Sequence, residues 1–386
     1  MSASQIKPMP ALLPPGISDL LPPEAALEAR SMESLMALFE ARDFGRVKAP
    51  LIEFEDSLFA GSGAALAENT FRLMDPISQQ MLGLRSDMTM QVARIAGSRL
   101  KKAPRPLRLC YGGQVLRVRT SQARIARQFA QVGAEIIGSV SPLADAEAAT
   151  AAWEGLAGLG VAELSIDLTL PTLVSTVCDE ADLTPELLAE VREVLGRKDP
   201  TAMKDLGPEI GEDLANTLAD LLEATGPADA ALAALSRLSL SERALAQIET
   251  LKQVIDRLGE TAPGLQITVD PVEYRGFEYH AGVAFALFAG KVQGELGRGG
   301  RYVTPDGETA TGFTLFMDTI QRALSLPEPS NRLFLPLGTA VEEACRLRRE
   351  GWVTVEGLEA VADNQTEAQR LECSHVLQGG TITTVA

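Results

Sequence analysis

Two apolar segments separated by a polar stretch, between Leu107 and Gly138, constrain the fold of this chain more than any other feature. Both segments have the composition of β-strands, whereas residues 119–127 are rich in arginine and small polar side chains. The pattern predicts an antiparallel hairpin with an exposed loop. The centre of the protein should therefore be an antiparallel sheet.

The second segment of this hairpin also contains a candidate binding surface. Period-2 alternation places five of its residues on one face of the strand: Phe129, Gln131, Gly133, Glu135 and Ile137. Gly133 would leave space above the sheet, flanked by the acceptors of Gln131 and Glu135, which suits an amine or an imidazole. A solvated face explains the alternation equally well. Arg117, on the partner segment, either holds a carboxylate or phosphate across the hairpin or forms a surface ion pair.

The charge balance excludes several functions. With 35 lysines and arginines against 52 aspartates and glutamates, the net charge is −17, so we expect no nucleic-acid partner, which would need a basic stripe. The chain has no apolar run of about 18 residues and no signal-peptide pattern at its start, so we expect no membrane association and a cytoplasmic location. Four dispersed cysteines and two histidines predict neither disulfides nor a metal site.

Composition and periodicity indicate two domains. We expect a core over residues 1–325, with a helical insertion at about 170–258 that is rich in Ala, Leu, Glu and Asp and broken by prolines. Residues 331–386 are predicted to form a small α/β unit. Its expected strands are 333–337, 352–355 and 381–385, and its expected helices are 339–350 and 366–373.

The N-terminal part of the core predicts a helix followed by an extended segment. Met32, Leu35, Met36 and Phe39 have helical spacing within residues 22–40. Gly45 is expected to end this helix in the left-handed conformation, and residues 47–54 are expected to be extended.

A second group of charged and aromatic residues surrounds a glycine at residues 274–280. Buried charge there would need a partner. His280 fits a hydrogen-bonded core histidine better than a catalytic one, because no Ser/His/Asp or Cys/His set accompanies it. The glycine run at 297–300 is neither a P-loop nor a dinucleotide fingerprint, so it predicts a tight turn beside a pocket and no cofactor.

Taken in order, these motifs resemble those of class II histidyl-tRNA synthetases and, more closely, those of their non-aminoacylating paralogues, the regulatory subunits of ATP phosphoribosyltransferase. The likeness runs from about Pro15 to Leu324. The likeness is carried by the opening at 14–22, motif 1 at 47–53, and motif 2 at Arg117 and 127–135. It is also carried by the segment at 84–89, whose acid contacts the amino group of histidine in the synthetases, by the histidine-specific segment at 275–280, and by the tyrosine-bearing turn at 299–302.

The resemblance implies an α+β fold: a class II aminoacyl-tRNA synthetase-like antiparallel sheet core, a helical insertion, and a truncated anticodon-binding-like unit at the C-terminus. It also implies a dimer formed through motif 1 and a histidine pocket. Asp87, Gln131 and Glu135 would bind the polar groups of histidine and Arg275 its carboxylate. Strand alternation would place His280 on the opposite face from Arg275 and Tyr279. The full expected set is Asp87, Thr89, Arg117, Gln131, Glu135, Arg275, Tyr279, His280 and Tyr302.

Departures from the synthetase pattern indicate a regulator rather than a ligase. Thr319 stands where motif 3 of the synthetases has its ATP-binding arginine, and Arg119 reverses the charge of a motif 2 glutamate. The resemblance then implies a chain without catalytic residues that activates the short catalytic subunit of ATP phosphoribosyltransferase and confers feedback inhibition by histidine. A histidyl-tRNA synthetase-type ligase and a histidine sensor for another protein are the alternatives.

Overall fold

The computed structural model describes residues 12–60, 66–119, 125–179, 181, 183–274, 276, 279–326 and 331–385. It divides into two compact units, Met1–Ser325 and Leu326–Ala386. Helices of the first unit are α1 (Glu24–Ala41), α2 (Glu55–Leu58), α3 (Thr89–Ser98), α4 (Pro142–Gly158), α5 (Leu173–Cys178), α6 (Pro185–Arg197), α7 (Pro200–Asp205), α8 (Gly207–Ile210), α9 (Glu212–Glu223), α10 (Ala228–Leu235), α11 (Glu242–Thr261) and α12 (Met317–Ala323). Its strands are β1 (Gly45–Arg46), β2 (Ile52–Phe54), β3 (Arg72–Met74), β4 (Met81–Leu84), β5 (Leu107–Leu116), β6 (Gln128–Ile137), β7 (Leu164–Thr169), β8 (Gly226–Pro227), β9 (Gln266–Val269), β10 (His280–Ala289), β11 (Gly297–Val303) and β12 (Thr309–Phe316).

The predicted hairpin is the centre of a large, mostly antiparallel sheet with the strand order β1-β5-β6-β12-β11-β10-β7-β9-β8. β5 and β6 pair antiparallel in unbroken register from Leu107 opposite Ile137 to Leu116 opposite Gln128. β12 pairs with the other edge of β6. The hairpin prediction is therefore confirmed, and β6 lies inside the sheet.

The alternation along β6 separates two hydrophobic layers. Ala130, Val132, Ala134 and Ile136 face a large core formed with α1, α4 and the helical insertion. Phe129 and Ile137 belong to a smaller cluster on the opposite face. Gln131 and Glu135 lie on this second face and are only 0% and 1% exposed. The solvated-face interpretation is therefore wrong.

Helix α1 packs on the larger core through the residues that predict it. Leu35, Met36 and Phe39 are buried, and the Phe39 ring meets the Phe313 ring edge to face at a centroid distance of 5.3 Å. The prediction for the helix end was wrong, because Asp43 has the left-handed conformation (φ 66°) and Gly45 already belongs to β1. Aspartate tolerates this conformation better than most residues.

The stretch between β7 and β9 consists mainly of helices, α5 to α11. Several begin at a sequence signal for a helix N-terminus: the side chains of Thr184, Asp199 and Ser241 each accept a hydrogen bond from the first turn. Pro185 and Pro200 occupy first helical positions, where a missing N–H costs nothing. These caps explain why prolines divide this region into short helices.

The glycine run at 297–300 is not a turn, which corrects the prediction. It is the first half of β11, which lies between β10 and β12. A Cβ on Gly299 would lie 2.3 Å from the carbonyl oxygen of Gly312 and 2.6 Å from the Phe285 ring. The strands approach so closely that these positions require glycine.

A small sheet with the order β2-β4-β3 leads into α3. One of its faces is covered, since a Cβ on Gly83 would meet the side chains of Leu58 and Thr70 at 2.8 Å. Beyond β4, the Arg85 guanidinium donates to the carbonyl oxygens of Gln114 and Ala49 at 2.8 and 3.0 Å. These bonds fix the segment that follows β4 against β5.

The second unit contains β13 (Arg332–Leu335), α13 (Val341–Arg349), β14 (Val353–Glu356), α14 (Asn364–Arg370), β15 (His375–Gln378) and β16 (Thr381–Thr384). Its strand order is β14-β13-β15-β16. Strand β15, with Val376 and Leu377 buried, was not predicted. That this unit is a truncated anticodon-binding-like domain stays a prediction. None of the helices that the structure describes, in either unit, is long and apolar enough to cross a membrane.

Candidate functional site

A cavity of about 440 Å³ lies on the side of the sheet that carries the smaller hydrophobic cluster. It is lined by seven of the nine predicted residues: Asp87, Thr89, Arg117, Glu135, Tyr279, His280 and Tyr302. Gln131 lies beside it and contacts Asp87. Arg275 lies outside the described residues. The structure thus brings together residues separated by more than 200 positions in the sequence.

Glu135 forms the floor of this cavity. Tyr111 donates its hydroxyl to Oε1 at 3.0 Å, and Tyr302 donates to Oε2 at 3.1 Å. Gly312, on the neighbouring strand, makes room for the carboxyl, because a Cβ there would lie 1.9 Å from Oε2. Both carboxyl oxygens are therefore held in place by hydroxyl donors.

The space above Gly133 has a different occupant from the one predicted. Tyr111 is paired with Gly133 across the hairpin, and a Cβ on Gly133 would lie 2.5 Å from the Tyr111 hydroxyl oxygen. The phenol ring therefore fills the space that the sequence suggests for a ligand. Tyr111 was missed, although the hairpin register alone places it opposite Gly133.

Burial sets the ionisation of Glu135. Loss of solvent raises the pKa of its carboxyl to about 8, while the hydrogen bonds from Tyr111 and Tyr302 lower it and the negative charge of Asp87 raises it further. The pKa values of both tyrosines are raised by burial and by the charge of Glu135. A cationic or N–H donor group entering the cavity would stabilise the ionised carboxylate.

Asp87 provides a second carboxylate, near the first turn of α3. Its Oδ1 accepts from the backbone N–H of Thr89 at 2.8 Å, and its Oδ2 accepts from Nε2 of Gln131 at 3.1 Å. Gln131 Oε1 is buried and has no hydrogen-bond partner among the described residues. Asp87 and Gln131 together offer acceptors for a ligand amino group.

Two arginines also line the cavity. Arg117 donates from Nε to the carbonyl oxygen of Ser86 at 3.2 Å and lies over the rings of Phe129 and Phe316. Burial lowers the pKa of its guanidinium, and its place in the cavity lining favours a ligand contact over a surface ion pair. Arg298, which sequence reasoning missed, pairs with Glu295 at 2.6 Å and donates to the Gly276 carbonyl at 2.7 Å.

The aromatic residues form one wall of the cavity. Tyr279 and His280 lie with their ring centroids 4.0 Å apart, and Tyr279 contacts Tyr302 edge to face at 6.3 Å. Strict alternation would separate Tyr279 from His280. The objection fails because Tyr279 precedes β10 and the register is irregular just after His280.

The two positions that depart from the synthetase pattern differ in their surroundings. Thr319 lies in α12 and is 1% exposed. Arg119 is exposed and pairs with Glu68 at 2.8 Å. Neither is among the residues that line the cavity.

The cavity is therefore lined by three carboxyl groups, one of which (Glu295) is paired with Arg298, by two guanidinium groups and by an aromatic wall. Among the residues that the structure describes, no group of three or more His, Cys, Asp or Glu side chains is arranged to hold a metal ion. Opposite charges at separate positions suit a zwitterion that also carries an N–H-bearing ring.

Comparison with known proteins defines the class. A family model described as histidyl-tRNA synthetase matches residues 16–320. A solved structure named ATP phosphoribosyltransferase regulatory subunit/histidyl-tRNA synthetase, from Bacillus halodurans C, has a TM-score of 0.80 at 22% identity and covers 94% of this chain and 97% of its own. Histidyl-tRNA synthetase from Nostoc sp. PCC 7120 has a TM-score of 0.73 at 17% identity, covering 97% of each chain. The fold is that of a class II synthetase-like protein, and the α+β prediction is confirmed.

Sequence relatives identify which family within this class the chain belongs to. The ATP phosphoribosyltransferase regulatory subunit of Rhodospirillum centenum is 52% identical over 383 residues, which is 99% of this chain and 98% of the relative. The protein of the same name from Paramagnetospirillum magneticum is 50% identical over 367 residues, 95% of this chain and 96% of the relative. The chain belongs to the family of ATP phosphoribosyltransferase regulatory subunits, which confirms the resemblance seen in the sequence.

Proposed function

We propose that this chain senses histidine in the described cavity and transmits its presence to the short catalytic subunit of ATP phosphoribosyltransferase, without catalysing a reaction itself. The observation that carries the proposal is the cavity, in which Asp87 with Gln131, Glu135 and Arg117 surround one volume of about 440 Å³. The family name of the relatives supplies the enzyme on which the sensor acts.

Histidine matches the chemistry of the cavity group by group. Asp87 and Gln131 would accept from its ammonium group, Thr89 lies beside them, and Glu135 would accept from the imidazole N–H. Its carboxylate would lie near the guanidinium of Arg117, with the predicted help of Arg275. Tyr279, His280 and Tyr302 would enclose the ring. Hydrogen bonds to charged groups contribute about 1.5–3 kcal/mol each, which allows a sensor with micromolar affinity.

The lack of ligase activity is supported by the residues at the two altered positions. Where the synthetases have an ATP-binding arginine, Thr319 is buried, and Arg119 is bound to Glu68. A triphosphate would then lose one charge-assisted contact and meet a cation in place of a carboxylate near the adenosine. We therefore infer a chain that keeps the amino-acid pocket and has lost activation chemistry.

The dimer expected from motif 1 has a suitable surface. Residues directly opposite each other in paired strands share a face, so Ile52 and Phe54 lie on the same face as Leu84 and Leu82. This face is opposite to the one that Leu58 covers, and Ile52 and Phe54 are 40% and 44% exposed. A second copy of the chain would cover these apolar side chains.

A pull-down from native cytoplasm, followed by an enzyme assay, tests the proposal. The tagged chain should recover a small phosphoribosyltransferase, raise its rate of joining ATP to phosphoribosyl pyrophosphate, and make that rate sensitive to histidine. Recovery of the enzyme without any effect of histidine would contradict the sensor role. Recovery of a different histidine-responsive protein would contradict the choice of partner.

A further inference from the structure

Tyr111 is buried beneath the cavity and has no part in the function proposed so far. Its hydroxyl lies 3.0 Å from Glu135 Oε1, 2.9 Å from Thr314 Oγ1, 3.3 Å from Thr89 Oγ1 and 3.4 Å from the Phe313 carbonyl oxygen. A tyrosine hydroxyl has one proton to donate. Threonine hydroxyls can donate as well as accept, whereas an ionised carboxylate can only accept. When Glu135 is ionised, this arrangement favours donation of the Tyr111 proton to Glu135 Oε1, which lies closer to the hydroxyl than the Phe313 carbonyl oxygen does.

The strand register fixes the position of the Tyr111 phenol. Tyr111 sits opposite Gly133 in the hairpin register, and its ring crosses the glycine to reach Glu135, two residues further along β6. A Cβ on Gly133 would lie 2.5 Å from the hydroxyl oxygen and 2.4 Å from the Phe313 carbonyl oxygen. Any side chain at position 133 would therefore displace the ring from Glu135.

We propose that Tyr111 is a positioning residue whose hydrogen bond makes Glu135 easier to ionise, so that the carboxyl can accept from a ligand ring that donates an N–H and the cavity is specific for such a ring. This inference rests on the proposed function, because it concerns how the same cavity recognises its ligand. Tyr302 contributes the matching bond on Oε2. Tyr302 also lines the cavity, so it can contact the ligand directly, whereas Tyr111 acts only through Glu135.

Other polar groups around Glu135 come from every neighbouring element. The negative charge of Asp87 opposes ionisation, and burial opposes it most. Arg117 and Arg298 supply positive charge to the cavity. The titratable and charged groups that face Glu135 or share its cavity are Tyr111, Tyr302, Asp87, Tyr279, His280, Arg117, Arg298 and Glu295. Of these, Tyr111 and Tyr302 donate hydrogen bonds to the carboxyl, and a weaker side-chain hydrogen bond from Thr89 also favours its ionised form.

Removing the hydroxyl should therefore make Glu135 harder to ionise. A hydrogen bond to a charged group corresponds to roughly 1 to 2 pH units in a titration midpoint. In Tyr111→Phe, the Glu135 midpoint should rise by about that amount above its value near 8 in the unaltered chain. Histidine affinity near pH 7.5 should fall by roughly ten- to a hundredfold, and the difference from the unaltered chain should disappear as the pH is raised.

The experiment measures both quantities on the full chain. Carbon-13 NMR of chain labelled in glutamate, with Glu135→Gln to assign the signal, follows the carboxyl without ligand. Calorimetric titration with histidine at several pH values follows binding. Tyr274→Phe, which removes a hydroxyl outside the cavity, should change neither measurement. A Glu135 midpoint that does not move in Tyr111→Phe, or a loss of affinity that is the same at every pH, would overturn the proposal.

Two further measurements separate the role of Tyr111 from misfolding of the phenylalanine variant and from failure of the sensor proposal. Replacing Tyr111 with 3-fluorotyrosine preserves its shape and makes the phenol a stronger donor, so the Glu135 midpoint should fall even if the phenylalanine variant does not fold. An unchanged or raised midpoint in this variant also counts against the role of Tyr111. If the unaltered chain binds no histidine, the sensor proposal fails, while the carboxyl titration still decides whether Tyr111 controls Glu135.

Discussion

Glu135→Gln should make the chain more resistant to unfolding at alkaline pH. The buried carboxyl has a pKa of about 8 in the folded chain, against 4.5 ordinarily. Between these two values the folded chain keeps a proton that the unfolded chain has released, so the free energy of unfolding falls as the pH rises. At 1.36 kcal/mol per pKa unit, the full loss is about 5 kcal/mol by pH 9. Glutamine cannot ionise and has nearly the same shape, so the variant avoids this loss.

The measurement is urea unfolding at pH 5, 7 and 9 without histidine. The chain has two tryptophans, and Trp352→Phe leaves Trp153 of α4 as a fluorescent reporter for the first unit. Relative to the same chain with Glu135, Glu135→Gln should gain about 4 kcal/mol between pH 5 and pH 9. Asp256→Asn, on the exposed face of α11, is the matched control. A difference between Glu135→Gln and its parent that stays the same at all three pH values would refute the buried, protonated carboxyl.

The remaining predictions concern ligands and partner. The chain should show no histidine-dependent exchange between ATP and pyrophosphate, because Thr319 and Arg119 replace the required charges; exchange clearly above background would restore the ligase alternative. Asp87→Asn should weaken histidine binding by roughly ten- to a hundredfold in calorimetry, with Asp256→Asn unchanged, and equal affinities would place the effector elsewhere. In the complex, phosphoribosyl pyrophosphate should weaken histidine binding by the same factor, roughly 5- to 150-fold, by which histidine weakens that substrate; equal histidine affinities with and without it would remove the coupling.

Local patterns in the sequence predict the centre of the fold and most of the site. The alternation on β6 required only period-2 geometry, and it correctly placed Gln131 and Glu135 on one face. The resemblance then added residues from distant segments, such as Asp87 and Tyr302, which no spacing could bring together. These two kinds of inference identified nine residues, of which eight lie in or beside the cavity; the ninth, Arg275, lies outside the described residues.

The errors occurred where tertiary contacts outweigh local preference. Glycine favours turns locally, so residues 297–300 suggested a turn, yet Gly297, Gly299 and Gly300 are glycines because β11 must approach β10 and β12 closely. Arg298 was overlooked for the same reason, since a turn would not direct its side chain into the cavity. The role of Gly133 was misjudged because the space above a glycine does not reveal which neighbour fills it.

The two hydrophobic layers give the cavity walls unequal resistance to opening. β6 lies between both clusters, so its amide hydrogens should exchange with solvent only when the first unit unfolds as a whole. The β2-β4-β3 sheet, which leads to Asp87, is short and half exposed, so its amides should exchange through local opening. A ligand bound between Asp87 and Glu135 would connect the small sheet, which opens locally, to β6, the most protected strand. Occupancy of the cavity would thus slow amide exchange in β4 and α3 far more than in β6.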